Sequence, residues 1–436
     1  MMKRVGIVGA GAMGLAAAYH ALKEGHEVEV FEADTVPGGM AAHFDFGGLS
    51  IERFYHFVCK SDEPTFALLD ELNIGNKMLW VDTKMGYYID GKLYRWGDPI
   101  ALLKFPLMSL SQKFRYGLAA YRQTKQKNFD HLENMNAKDW IVRDFGKKTY
   151  DLMWKRLLEL KFFEYTDNIS AAWIATRVKR IGNSRKSMLQ ETLGFIEGGS
   201  QTLIDALVKE IKAKGGQIHL GQKVTEITSQ NGKINGIRVG DHNRSFDHII
   251  STAPIPLISK IVPGLHKAEK EAYDAINNVG CVCVIVKLKQ KITDNFWLNI
   301  NDKRIDVPGI IEFSNLRPID NHIVYVPYYM PTTHHKFSKS DDYFETEVRQ
   351  YLKFIKPSLT DDDFIEIKIG RLKYSQPVCE PGFANKLPPI QTTIEGLQIA
   401  DTCYYYPEDR GISESVKLGK QMVEAINTPL KGEAKN

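Results

Sequence analysis

A six-residue glycine turn near the start of the chain constrains the fold more than any other feature. Residues 9–14 read Gly-Ala-Gly-Ala-Met-Gly; they follow an apolar run at residues 5–8 and precede a helix-forming stretch at residues 15–23. A second strand-like run ends in the acid Glu32, 18 positions after Gly14. Strand, glycine turn, helix, strand and acid together predict a dinucleotide-binding βαβ unit.

Each glycine of this turn has a predicted role. Gly9 permits the tight turn, Gly11 lets the backbone approach a pyrophosphate, and Gly14 lets the helix lie close to the strand. The phosphates would lie at the helix N-terminus, where free N–H groups and the dipole favour negative charge. Glu32 would accept hydrogen bonds from the adenosine ribose hydroxyls.

A second glycine turn narrows the choice of dinucleotide. Shortly after Glu32 the chain reads Pro37-Gly38-Gly39-Met40. An acid followed by a Gly-Gly pair resembles the extended motif of the flavoprotein superfamily of amine oxidases, protoporphyrinogen oxidases and phytoene desaturases, to which UDP-galactopyranose mutase is related. The resemblance implies that this turn passes beside the phosphates and ribityl chain of FAD. A plain surface turn is the alternative.

The chain near its C-terminus carries the same resemblance. A strand-like run ends at Asp401, and Gly411 opens a helix that continues to about residue 426. The resemblance implies flavin contacts at Asp401, Gly411, Ile412 and Ser413. Here the chain departs from the family pattern, because an aromatic insert at residues 404–409 separates the acid from the glycine. Because of this insert, the sequence does not predict the shape of the pocket over the flavin.

The cofactor-binding residues predicted for FAD form one set. It includes Val224, in a Lys-Val-Thr-Glu-Ile run that the resemblance places against the adenine. The set is Gly9, Gly11, Ala12, Met13, Gly14, Glu32, Gly38, Gly39, Met40, Val224, Asp401, Gly411, Ile412 and Ser413.

The order of segments predicts an α/β fold with a discontinuous FAD-binding domain. A nucleotide-binding fold that stops near residue 60 and resumes near residue 195 implies that other domains are inserted. We expect a Rossmann-type FAD-binding domain at residues 1–60, 195–270 and 385–436, a mixed-sheet substrate domain at residues 61–99 and 271–384, and a helical subdomain at residues 100–194.

Composition excludes several classes of protein. The 436 residues include 57 Lys and Arg against 53 Asp and Glu, and a net charge of +4 gives no case for binding nucleic acid. The absence of an apolar run of about 18 residues predicts no transmembrane segment. The five cysteines have neither disulfide nor metal spacing, which predicts reduced packing residues in a cytoplasmic protein and no metal site.

Candidate residues for the chemistry are fewer. Tyr55 and His56 follow a predicted hairpin around Gly47-Gly48 and could relay a proton, and Lys161 is a lysine among apolar residues; these three are the catalytic candidates. Each has a structural alternative, such as a satisfied edge-strand histidine or a snorkelling lysine. Predicted substrate contacts are Arg53, Tyr325 and Tyr374.

The predicted activity is FAD-dependent oxidation of a small organic substrate, with hydride transfer to the flavin. The alternative is a non-redox sugar isomerase resembling UDP-galactopyranose mutase, in which Arg177, Arg180 and Arg185 would hold a diphosphate. A basic amphipathic stretch at residues 102–127 either packs within its own domain or contacts an anionic membrane peripherally. The oligomeric state is open.

Overall fold

The computed structural model describes residues 2–427 and contains twenty strands and fourteen α-helices in that range. The strands are β1 (Arg4–Val8), β2 (Glu27–Phe31), β3 (His43–Phe46), β4 (Leu49–Glu52), β5 (Met78–Thr83), β6 (Met85–Ile89), β7 (Lys92–Trp96), β8 (Arg185–Ser187), β9 (Gln190–Ile196), β10 (Gln217–His219), β11 (Val224–Gln230), β12 (Lys233–Val239), β13 (His242–Ser245), β14 (His248–Ser251), β15 (Asn278–Leu288), β16 (Trp297–Asn301), β17 (Gly309–Glu312), β18 (His322–Met330), β19 (Phe364–Pro377) and β20 (Leu397–Ile399).

The α-helices alternate with these strands, and six of them follow one another without an intervening strand. They are α1 (Ala12–Lys23), α2 (Glu63–Glu71), α3 (Pro99–Lys104), α4 (Leu110–Lys125), α5 (Ala137–Phe145), α6 (Lys147–Thr149), α7 (Lys155–Phe162), α8 (Ala171–Asn183), α9 (Ser200–Ala213), α10 (Ile258–Ile261), α11 (Lys267–Asp274), α12 (Asp341–Ile355), α13 (Phe383–Lys386) and α14 (Ile412–Asn427).

A five-stranded parallel sheet has the order β10-β2-β1-β14-β20. Its strands come from three separated stretches of the chain, which confirms the predicted discontinuous α/β fold. Because helices α1, α9 and α14 cover it, its central strands are almost wholly apolar and buried, as in parallel sheets generally. The carboxyl ends of β1, β2 and β20 meet at one edge, where open α/β sheets bind ligands.

A seven-stranded mixed sheet has the order β19-β15-β18-β17-β16-β6-β7 and is antiparallel except between β16 and β6. Its strand β15 is buried on both faces. Val282, Val284 and Val286 pack towards helix α12, whereas Cys281 and Cys283 point to the opposite face. This alternation follows from the two-residue period of a strand.

Helices α3 to α8 pack together around large aromatic side chains, including Trp140, Phe145 and Trp173. Smaller sheets, β5-β9-β8, β11-β12-β13 and the hairpin β3-β4, connect these layers. The assignment of residues to three domains stays a prediction, and its last segment extends past the described residues. Within residues 2–427 the longest helices are too short or too polar to span a bilayer.

Candidate active site

A cavity of about 1810 Å³ runs from the carboxyl edge of the parallel sheet to the seven-stranded sheet. Pockets for drug-sized ligands usually measure about 300–1,000 Å³, so this one has room for a dinucleotide and a second molecule. One end is lined by the glycine turns. The other end, here called the chamber, is lined by Tyr55, Trp173, Trp297, Tyr329 and Tyr374.

In the first glycine turn, only Gly11 has open space at the position where a Cβ would lie. Gly9 has φ +101°, and Gly14 lies so close to it that a Cβ on Gly14 would be 2.0 Å from the Gly9 carbonyl oxygen. A Cβ on Gly11 would meet no heavy atom within 4 Å. Gly11 lines the cavity together with Ala12 and Met13 at the start of α1, whereas Gly14 lies behind the turn and serves packing.

The second glycine turn packs on the first. Gly38 has φ +115° and donates its N–H to the Ala10 carbonyl over 2.7 Å. Gly39 has φ +57°, and a Cβ there would approach the Gly11 Cα to 3.3 Å. Both glycines and Met40 line the cavity. Glycine at each position therefore keeps the two turns close enough to enclose a phosphate between them.

Glu32 fixes the turn as well as lining the cavity. Its two carboxylate oxygens accept the N–H groups of Ala10 over 2.7 Å and Asp34 over 2.8 Å. Arg53 forms an ion pair with Asp34, and the guanidinium lowers the pKa of that carboxyl. The predicted substrate contact Arg53 thus lies against the acidic loop that follows β2 and lines the cavity there. Its contact with the substrate stays a prediction.

The C-terminal signature reaches the same cavity. Asp401 lines it, and its buried carboxylate accepts the N–H groups of Ile255 and Cys403, each over 2.8 Å. Burial raises the pKa of Asp401. Gly411 and Ile412 line the cavity at the start of α14, and Val224 lines it from β11. Ser413 is buried and is not among the residues that line the cavity, and its flavin contact stays a prediction.

Tyr55 and His56, two of the catalytic candidates, lie side by side on the cavity wall, and their catalytic role stays a prediction. The Tyr55 ring packs edge-on against Trp297 and Tyr325, and burial raises the pKa of its phenol well above the ordinary value. Burial also lowers the pKa of His56, partly opposed by the charge of Glu52. At neutral pH the pair is therefore an uncharged phenol and an uncharged imidazole.

Tyrosines of strand β18 divide between core and cavity. Tyr325 is fully buried, and its hydroxyl donates to the Glu52 carbonyl over 2.7 Å, so the hairpin β3-β4 separates it from the cavity. Its predicted substrate contact is therefore corrected. Tyr329 lies four residues further along the same face and lines the chamber, as does the predicted residue Tyr374 from β19.

The chamber also contains charged residues that the sequence did not single out together. Lys161 lies 5.0 Å from the centre of the Tyr329 ring and 5.4 Å from that of Trp173. Arg177 stacks on Trp173 and pairs with Asp409, and Arg410 donates to Ser375 Oγ over 2.8 Å. Contacts between distant segments determine the positions of these charged residues. In the sequence, only the position of Arg410 next to Gly411 indicated a place near the cofactor.

These residues fit FAD. The open space at Gly11, the free N–H groups in the first turn of α1 and the packed Gly38-Gly39 turn suit a pyrophosphate. The N-terminus of α14 faces the same cavity, where a flavin ring would extend towards the chamber. Among residues 2–427 there is no cluster of His, Cys, Asp or Glu that could hold a metal ion.

The chain is similar in sequence to two desaturases. It is 22% identical over 318 residues to 15-cis-phytoene desaturase of Synechococcus elongatus, covering 67% of this chain and 66% of that protein. It is 25% identical over 326 residues to a zeta-carotene desaturase of Solanum lycopersicum, covering 66% and 54%. The chain thus spans less than two thirds of the length of these relatives.

Solved structures share the fold over nearly the full length. A putative protoporphyrinogen oxidase from Exiguobacterium sp. 255-15 superposes with a TM-score of 0.76 at 17% identity, covering 98% of this chain and 99% of the other. Putrescine oxidase bound to putrescine gives 0.70 at 16% identity, with the same coverage. The profile of the family described as flavin containing amine oxidoreductase matches residues 14–400. Fold and flavin cofactor are thereby confirmed, and the chain belongs to the flavin containing amine oxidoreductase family.

Proposed function

We propose that this chain is an FAD-dependent oxidoreductase of the oxidase, dehydrogenase or desaturase kind, acting on a small organic substrate. The observation that carries the proposal is the continuous cavity, which joins the glycine turns to an aromatic chamber. When bound, FAD supplies the hydride acceptor, so the protein has to bind, orient and shield the substrate. The similar proteins described above, two desaturases and a putrescine oxidase, support a redox reaction.

The side chains of the chamber suit substrate positioning. Aromatic rings on several sides favour an apolar substrate body and exclude water from it. The neutral imidazole of His56 can accept a proton from the substrate at a ring nitrogen, and the neutral Tyr55 phenol can donate a hydrogen bond. The start of α14 favours negative charge at the adjoining wall because of its free N–H groups.

The sugar-isomerase alternative has less support. Its three arginines already have partners: Arg177 pairs with Asp409, Arg180 pairs with Asp62, and Arg185 donates to the Gly97 carbonyl. A diphosphate would have to displace two carboxylates. Nothing in the family match favours the mutase.

Anaerobic mixing tests the proposal. The purified protein should show the absorbance of oxidised flavin near about 450 nm, as flavoproteins do. Addition of candidate amines, porphyrinogens and carotenoid precursors should bleach that band with one class of substrate. Turnover of a UDP-sugar only after reduction by dithionite would refute the oxidoreductase and establish the isomerase. Purified protein without flavin would refute both.

We further propose that the helical region contacts an anionic membrane. Helix α4 exposes Leu110, Phe114, Leu118 and Tyr121, which share one face at helical spacing, and Leu110 and Phe114 are 77% and 74% exposed. The basic side chains Lys104, Lys113, Arg122 and Lys125 lie in the same segment. An apolar stripe beside basic residues suits a bilayer with anionic lipids. Tyr121 of this face and Gly117 on the adjoining side of α4 also line the cavity, so an apolar substrate would enter directly from the lipid.

Vesicle sedimentation tests this contact. The protein should bind phosphatidylcholine vesicles that contain phosphatidylserine, and less to those without it. Because each large apolar side chain contributes about 1.5–3 kcal/mol on burial, Leu110→Ser with Phe114→Ser should weaken binding at least about tenfold. Ile365→Ser, at an exposed apolar residue of β19, is the matched control. Equal sedimentation of both variants, or none of the wild type, would contradict the proposal.

A further inference from the structure

Lys161, Arg177, Arg180 and Arg410 line the cavity, and carboxylates pair with two of these four side chains. Arg177 pairs with Asp409, and Arg180 pairs with Asp62 over 2.8 Å. Arg410 donates to Ser375 Oγ over 2.8 Å and to the Tyr329 hydroxyl over 3.2 Å, which are neutral groups. Among the described residues, no carboxylate lies within ion-pair distance of the Lys161 ammonium or the Arg410 guanidinium.

Lys161 and Arg410 lie against the same aromatic ring. The Lys161 Nζ is 5.0 Å and the Arg410 guanidinium carbon 5.6 Å from the centre of the Tyr329 ring. Helix α7 carries Lys161, and the loop before α14 carries Arg410, so two separate elements direct cations to one place. Both residues line the cavity.

Two cations that lack a paired carboxylate destabilise the ligand-free protein when aromatic rings enclose them. Like charges repel there, and desolvation of each charge is offset only when an anion is paired with it. Cation–π contact with Tyr329 and Trp173 compensates in part for Lys161. The missing component of this arrangement is an anion.

We propose that the substrate carries a carboxylate or a similar anionic group, which binds between Lys161 and Arg410 while its apolar body contacts the aromatic walls of the chamber. This assignment rests on the proposed function, because it places the substrate beside the cofactor. A protonated amine would meet the positive charge of Arg410 and, whenever Lys161 is protonated, a second positive charge, so cationic substrates are disfavoured. In this respect the chain differs from putrescine oxidase, whose ligand is an amine.

The protonation of Lys161 agrees with this geometry. Burial and the charge of Arg177, with a smaller effect of Arg410, lower the pKa of Lys161 to about 7, and Asp409 opposes them. The other groups that face it are neutral, because burial raises the pKa of Cys281 and of Tyr329 to about 12 and also raises the pKa of Cys379. A bound anion raises the pKa of Lys161 again. Anion binding therefore takes up a proton and weakens as the pH rises above 7.

Calorimetric titration of the FAD-loaded protein tests the proposal with three probes that share one alkyl chain: decanoate, decan-1-ol and decylamine. Decanoate should bind at least about tenfold more tightly than decanol, and decylamine more weakly than decanol. Lys161→Met should reduce decanoate affinity about tenfold and leave decanol affinity unchanged. Lys161→Arg should keep decanoate affinity and lose its pH dependence. Lys155→Met, at an exposed lysine of the same helix, is the matched control.

Several results would overturn the proposal. One is decanoate binding no tighter than decanol, and another is decylamine binding at least as tightly as decanoate. A third is a Lys161→Met variant that loses flavin absorbance yet keeps decanoate affinity, because the charge would then serve the cofactor. Flavin absorbance is recorded in each sample. A wild-type protein without flavin would refute the proposed function, whereas the titrations decide the anion preference separately.

Discussion

Replacing Gly11 with alanine should weaken FAD binding without destabilising the protein. Gly11 has φ −70° and ψ 177°, which any residue adopts, and an added Cβ would meet no heavy atom within 4 Å. Because alanine restricts the unfolded chain, the free energy of unfolding of the apoprotein should rise by about 0.4–1 kcal/mol. The same methyl group would occupy the space where the pyrophosphate approaches the backbone.

The expected loss of affinity follows from the hydrogen bonds at that turn. A hydrogen bond to a charged group contributes about 1.5–3 kcal/mol, and displacing the phosphates should cost one or two of them. A loss of about 2–4 kcal/mol corresponds to a roughly 30- to 700-fold higher Kd for FAD. Quenching of flavin fluorescence measures the Kd, and thermal unfolding of the apoprotein measures stability.

Gly14→Ala is the control with the opposite stability effect. Its Cβ would lie 2.0 Å from the Gly9 carbonyl oxygen, so α1 would have to move from the turn at a cost of at least about 1–3 kcal/mol. This variant should lose both stability and FAD. Wild-type FAD affinity in Gly11→Ala would show that the phosphates lie elsewhere. A fall in stability equal to that of Gly14→Ala would refute the inference that the position has free space.

Three further predictions concern two carboxylates and a histidine. Glu32→Ala removes the acceptor for the Ala10 and Asp34 N–H groups and should weaken FAD retention at least about tenfold in a desalting assay; unchanged retention would refute its place beside the ribose. Glu312 is 1% exposed, and burial raises its pKa to about 7, so the folded protein binds more protons than the unfolded chain between about pH 4.5 and 7. As the pH rises over this range, the free energy of unfolding should fall by up to about 3 kcal/mol because Glu312 loses its proton. Urea titrations of Glu312→Gln should lack that part of the pH dependence. Because burial lowers the pKa of His56, NMR of its ring nitrogens should find a mostly neutral imidazole at pH 6.5, where an exposed histidine is half-charged; a fully charged ring would contradict the geometry.

Local sequence predicted the parts of the site that depend on local backbone geometry. The two glycine turns, the hairpin around Gly47-Gly48 and the helix after Gly411 could be predicted because each turn needs glycine at a fixed offset. The ion pairs Arg53–Asp34 and Arg177–Asp409 could not, since the latter joins residues 232 positions apart. No local pattern specifies such a pairing.

The tyrosines of β18 show the same limit. The two-residue period of the strand indicates that Tyr325 and Tyr329 share a face, and both do point to the side opposite α12. Whether each meets solvent or core depends on where the hairpin β3-β4 crosses that face. Tyr325 lies beneath it and Tyr329 beyond it, a difference set by tertiary packing alone.

The three-part origin of the parallel sheet has a consequence for biosynthesis. Strand β20 and helix α14 come from the last described residues, and α14 packs so closely on α1 that a Cβ at Gly419 would lie 2.5 Å from the Met13 carbonyl oxygen. A chain emerging from the ribosome has its first glycine turn long before the segments that complete the cofactor site. Because domains fold as units, the segments synthesised first stay partly assembled until β20 and α14 have been synthesised. Cofactor loading is therefore expected only after α14 has been synthesised, and chains that lack α14 are the stage most exposed to misfolding.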